Sequence, residues 1–121
     1  QQFFGRNMGY STYAVIAVST DEYTKKELMP WTKEWEFEIS DMLVDEDASK
    51  VVFILDWSKG TYKAVDDFID NYVHKAEDED GIPFIHLEGM GIIQIGESDN
   101  DVEYWGEPWE FDVNLERSIS Y

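Results

Sequence analysis

The chain predicts an α+β fold, a single-domain antiparallel or mixed β-sheet with two or three helices packed on one face. Three observations carry this. Residues 10–19 and 51–57 are β-branched and apolar on both faces, as central strands are. Residues 62–73 place apolar side chains every three or four positions, as an amphipathic helix does. The C-terminal third is made of short apolar segments between Gly, Pro and acidic breakers, as antiparallel strands are.

With 121 residues, the chain has the size of one domain that can bury a real core. Residues 1–7, QQFFGRN, precede the Met-Gly that opens the first strand pattern. They are expected to be an expression-derived or disordered leader, leaving 8–121 as the folded unit.

Taken in order, the first strand covers 10–19. Thr20 can cap a helix whose first turn carries Asp21 and Glu22, where the helix dipole favours acids, and which Pro30 should end. From Trp31 onward two periods compete. Trp35, Phe37 and Ile39 alternate like a strand, whereas Trp31, Trp35, Ile39, Met42 and Leu43 recur at helical spacing. The longer pattern predicts a helix over 31–44. Asp45, Glu46 and Asp47 then form an exposed turn before the second central strand, 51–57. Residues 58–61 turn into the amphipathic helix of Tyr62, Val65, Phe68, Ile69, Tyr72 and Val73. Past the breakers Gly81 and Pro83, residues 84–87 and 92–96 read as strands, or as one strand bent at Gly89 and Gly91. A turn at 98–101 returns the chain through 102–105 as a hairpin. After Gly106 and Pro108, residues 109–119 read as a closing strand. It would place Trp109, Phe111, Val113 and Leu115 inward, and Glu110, Asp112, Asn114 and Glu116 outward.

Charge is the outlier. Twenty-seven Asp and Glu against nine Lys and Arg give a formal charge of -18. Such a surface repels nucleic acid and anionic membranes and attracts basic partners at a salt-sensitive rate. The 16% aromatic content, five Trp included, separates the chain from acidic disordered proteins. The absence of cysteine excludes disulfides and thiolate metal sites, and no apolar run is long enough for a membrane span.

Catalytic signals are sparse. His74 and His86 stand at no metal-ligand spacing and read as structural or surface residues. Neither a phosphate-binding Gly-rich loop nor a nucleophile elbow is present. Glu97, Asp99, Asp101 and Glu103 begin like a calcium-binding loop, but Val102 occupies the position that needs glycine. No catalytic residue, cofactor or dedicated metal is expected.

The acids of the C-terminal stretch therefore form the candidate site. A strand over 109–119 would hold its outward carboxylates roughly 6.6 Å apart, close to the phosphate spacing of a nucleic-acid strand. Glu110, Asp112 and Glu116 on that strand would share the role with Glu97, Asp99, Asp101, Glu103 and Glu107 of the hairpin. Asp66, Asp67 and Asp70 of the helix would add to it, with Trp105 as an apolar anchor.

Four segments also carry a resemblance: VVFILDW (51–57), AVDDFIDNY (64–72), GIIQIGESDNDVEYWGEP (91–108) and FDVNLERSIS (111–120). Over roughly the last 70 residues the chain resembles small acidic proteins of tailed phages, a group with no established activity. The resemblance implies a phage product working in a bacterial host cytoplasm. With the charge, it leads to a non-enzymatic inhibitor that binds a basic, nucleic-acid-handling host protein by nucleic-acid mimicry. A CRISPR effector, a restriction enzyme, a nuclease or RNA polymerase would be such a target. Direct binding to nucleic acid or membrane is not expected, and a homodimer is allowed. The competing reading is a small assembly protein that self-associates through its aromatic strands, its acids serving only solubility.

Overall fold

The computed structural model describes residues 10–20, 22–74, 85–98, 100–115 and 119–121. Its centre is an antiparallel sheet of five strands: β1 (Thr12–Ser19), β2 (Ile39–Asp45), β3 (Lys50–Ser58), β4 (Met90–Gly96) and β5 (Val102–Gly106). They lie side by side in the order β2-β3-β1-β4-β5. The first strand is thus central, with Val15 opposite Ile54 on one side and Ile93 on the other. Five consecutive residues, Ala14 to Val18, are fully buried, which is why the segment reads as apolar on both faces.

Helix α1 (Glu22–Glu34) and helix α2 (Thr61–Phe68), continued by a π-helical turn at Ile69–His74, cover one face. Ile16, Phe53, Leu55 and Ile92 of the sheet meet Leu28, Trp31, Val65 and Phe68 of the helices there. Trp31 sets its ring edge-on to Phe53 and Phe68 and donates its indole N–H to the Ala64 carbonyl at 2.9 Å. Each apolar residue expected on the 62–73 face is buried. Pairs 64/65, 68/69 and 72/73 repeat every four residues, which overshoots an α-helical turn by about 40°. A wider π turn at the end of the run keeps the last pair on the sheet.

The opposite face is covered too, by the end of the chain. Val15, Ala17, Val52, Ile54 and Ile93 meet Val113 and Ile119, with Phe111 and Leu115 at the margin.

Four expectations are corrected. Pro30 lies inside α1 and does not end it. Proline removes one backbone donor, costing about 3 kcal/mol in a helix interior. Burial of Leu28 before it and Trp31 after it carries the helix across. The helix expected over 31–44 is two elements, the end of α1 and strand β2, joined by a turn at 35–38. Trp31 and Trp35 do keep helical spacing, with Trp35 N–H bonded to the Trp31 carbonyl at 3.1 Å. Met42 and Leu43 belong instead to a hairpin, opposite Phe53 and Val52. Of the strand expected over 84–87, Phe84 falls outside the described residues. Ile85 and His86 are not in a strand, and Leu87–Gly89 is a short 3-10 turn.

The last correction concerns the closing strand. The described residues 109–115 and 119 do not form one. Pro108–Phe111 is a 3-10 helix with Pro108 in its first turn, where a missing N–H costs nothing. Asp112 follows in the left-handed region at φ 60°. Only β6 (Asn114–Leu115) and β7 (Ile119–Ser120) pair, as a separate two-stranded ribbon. The segment is seated tightly on β4. Gly91 faces the Pro108 backbone so closely that a Cβ would collide with it, and Lys50 Nζ donates to the Phe111 carbonyl at 2.6 Å.

Candidate functional site

The carboxylates singled out from the sequence do not form one row. On the helix side, Asp66 and Asp70 are exposed along α2 and the π turn, while Asp67 is partly buried. Asp67 Oδ2 accepts the Trp35 indole N–H at 2.7 Å, and Oδ1 accepts Asn71 Nδ2 at 2.7 Å. It is a clamp between the end of α1 and the π turn as much as a surface charge. Asp70 stands 3.8 Å from His74 Nδ1 with both side chains largely exposed, a weak pair.

The β4–β5 hairpin sits at one end of the sheet. Glu97 Oε2 accepts the Ser11 N–H at 2.6 Å, and Ser98 N–H donates to the Tyr10 hydroxyl at 2.7 Å. These bonds tie the acidic turn to the start of β1. Glu103 faces the helix side, opposite Gln94. The buried Gln94 amide links the Thr12 hydroxyl (3.2 Å) to Glu103 (3.4 Å), so this carboxylate helps satisfy an interior polar group. Trp105, opposite Ile92, packs against the helix-side core. Its role is therefore largely structural.

At the other end of β5, left-handed Gly106 (φ 68°) turns the chain, and Glu107 N–H donates to the Met90 carbonyl at 2.9 Å. Glu110 and Asp112 are exposed on the segment covering the opposite face. Asp99 and Glu116 lie outside the described residues. The proposed spacing of roughly 6.6 Å needs an extended strand; a 3-10 turn followed by a left-handed residue cannot supply it. The same change of backbone turns Trp109 outward, 59% exposed, where a core position was expected.

A second acidic region was missed. Between Lys33 and Lys50 the chain holds Glu34, Glu36, Glu38, Asp41, Asp45, Glu46 and Asp47 with no basic residue. It also holds Phe37, at 91% the most exposed large apolar side chain among the described residues, and on β2 three consecutive exposed ones, Met42, Leu43 and Val44. β2 is a sheet edge. The available signal was the hairpin pattern, two apolar runs flanking an acidic turn.

Among the described residues no three His, Asp or Glu side chains gather as metal ligands, and His74 and His86 are both exposed. Two phenols titrate abnormally high. Burial raises Tyr13, helped by the nearby Tyr121 and Asp56. Burial also raises Tyr72, whose hydroxyl donates to the Glu27 carbonyl at 2.7 Å. No described helix is long and apolar enough to cross a membrane. The arrangement suits binding of cationic groups by fixed carboxylates. Comparison with family models, with curated proteins and with solved structures finds no match.

Proposed function

We propose that this chain is a non-enzymatic, phage-encoded inhibitor that binds a basic, nucleic-acid-handling protein of a bacterial host cytoplasm. Its acidic surface stands in for the nucleic acid. The observation that carries this reading is a formal charge of -18 on an ordered scaffold. Several carboxylates are held by hydrogen bonds, as at Asp67 and Glu97, and fixed charges bind without the ordering cost of a floppy tail. Ion pairing with Lys and Arg, and release of the partner's counterions, drives association as it does for nucleic acid.

The test is capture from bacterial lysate on the immobilised protein, with duplex DNA as competitor and NaCl as titrant. The expected result is a basic partner displaced by DNA, with affinity falling about tenfold or more between 50 and 200 mM salt. If low-salt capture yields no basic protein, or DNA fails to displace it, the reading is wrong.

A second reading, self-association through aromatic strands, is favoured by the exposure of Tyr104 (54%) and Trp109 on a surface that folding alone would keep polar. It predicts oligomers by light scattering that persist at high salt.

A further inference from the structure

We infer that strand β2 is the docking element, and that it takes an extended basic segment of the partner as a sixth strand of the sheet. This deepens the reading above and rests on it.

The sheet has two edges, β2 and β5, and they differ. Six of the seven residues of β2 are exposed, against one of five in β5. β5 is further constrained by the turn at Gly106 and by Trp105, which packs into the core. No described strand pairs with the outer side of β2. Alternate backbone N–H and C=O groups of such an edge point away from β3 and can bind another chain; the Met42 N–H donates meanwhile to Asp41 Oδ1 at 2.8 Å, a local bond that an incoming strand would replace.

Register fixes what that chain must look like. Met42 and Val44 lie opposite Phe53 and Val51, on the helix side. Asp41, Leu43 and Asp45 lie opposite Ile54, Val52 and Lys50, on the other side. An added strand sets each residue beside one on the same face. Its complement is therefore apolar opposite Met42 and Val44, and basic opposite Asp41 and Asp45. Leu43 accepts the alkyl stem of a Lys between them. At the hairpin end of β2, an open groove of about 560 Å³ is lined by Leu43, Val44, Asp45, Glu46, Asp47 and Tyr121, giving a long cationic side chain room and carboxylates. Lys50 also reaches the groove, but its ammonium donates to the Phe111 carbonyl.

A second copy fits less well. Antiparallel self-pairing centred on Leu43 would put Asp41 against the copy's Asp45 twice, within two bodies of charge -18 each. The acids flanking β2 thus repel a second copy and select a basic strand.

The probe is the peptide Lys-Val-Lys-Ile-Lys-Val-Lys, with a control of the same sequence N-methylated at alternate amides. The control keeps every charge and loses strand pairing on one side. Amide hydrogen exchange should show new protection within 39–45 and none in 102–106. N-methylation should weaken binding about tenfold or more, as should Asp41→Lys with Glu46→Lys. That pair leaves intact the turn bond from Ala48 N–H to Asp45 and removes the local bond from Met42 N–H to Asp41, and an unchanged melting temperature confirms the fold. Equal affinity for both peptides, protection at 102–106, or no binding of either peptide overturns strand addition. The acidic-surface reading is judged separately by DNA-competed capture.

Discussion

Residues 34–49 and residues 97–117 look alike as sequence, each rich in carboxylates and threaded with apolar residues, yet the fold uses them in opposite ways. The C-terminal stretch turns its aliphatic residues inward, with Val113 buried in the second core and Phe111 and Leu115 packed against it, and leaves only the isolated rings of Tyr104 and Trp109 exposed among its described residues. The 34–49 stretch leaves Phe37, Met42, Leu43 and Val44 in solvent. Its carboxylates thus surround exposed apolar surface, whereas those at the C-terminus ride on a lid. Acid density alone marks neither as a contact region. Unspent apolar surface beside the acids does.

The contrast can be broken most directly by deleting matched apolar side chains. Ile119→Ala, just past the C-terminal stretch but in the same core as Val113 and 5% exposed, should cost about 2–4 kcal/mol in urea unfolding. Met42→Ala, at 51%, should cost less than about 1 kcal/mol. Equal costs would mean that β2 is covered after all.

A smaller effect sharpens the join between α1 and the 34–49 stretch. Trp35→Phe keeps an aromatic ring against the core and removes the pyrrole half that carries the donor to Asp67. The expected loss is about 1–2 kcal/mol, that of a hydrogen bond to a charged group. In Asp67→Asn the same substitution should cost much less, because the acceptor's charge is already gone.

The smallest effect lies outside both stretches, on β1. Tyr13, raised by burial and by Tyr121 and Asp56, keeps its proton in the folded state at a pH where the unfolded chain has lost it. The unfolded state therefore binds fewer protons, and stability falls as pH rises. The contribution is whole below the unfolded value of about 10 and is lost as pH climbs through the raised folded value. Thermal melts above pH 10 should decline less steeply in Tyr13→Phe. Parallel declines would remove Tyr13 as the cause.

Much of the fold was legible because burial writes a clear period. The segments 10–19, 51–57, 62–73 and 102–105 each serve one environment along their length, so their patterns are pure. Legibility failed where two elements share one period. Trp31 and Trp35 end a helix at a spacing that Ile39 and Met42 happen to continue from a strand, so one period ran across a turn. At 109–115 the alternation was genuine, but Pro108 at the start of a helical turn and left-handed Asp112 yield it without extended backbone. The candidate site suffered accordingly. Acids were countable from sequence; which of them stand beside uncovered apolar surface depends on strand order, which residue patterns do not encode.

The central place of β1 has a consequence for synthesis. Made before its partners, β1 waits for neighbours that follow roughly 30 and 70 residues later, and its second face waits longer still, for Val113 and Ile119. At a synthesis rate of about 5–20 residues per second, Val15, Ala17, Val52 and Ile54 stay bare for seconds after the helices could have docked. A ribosome that stalls late would release a chain with one core closed and the other open. That species, with apolar sheet surface uncovered, is what chaperones and proteases should engage first.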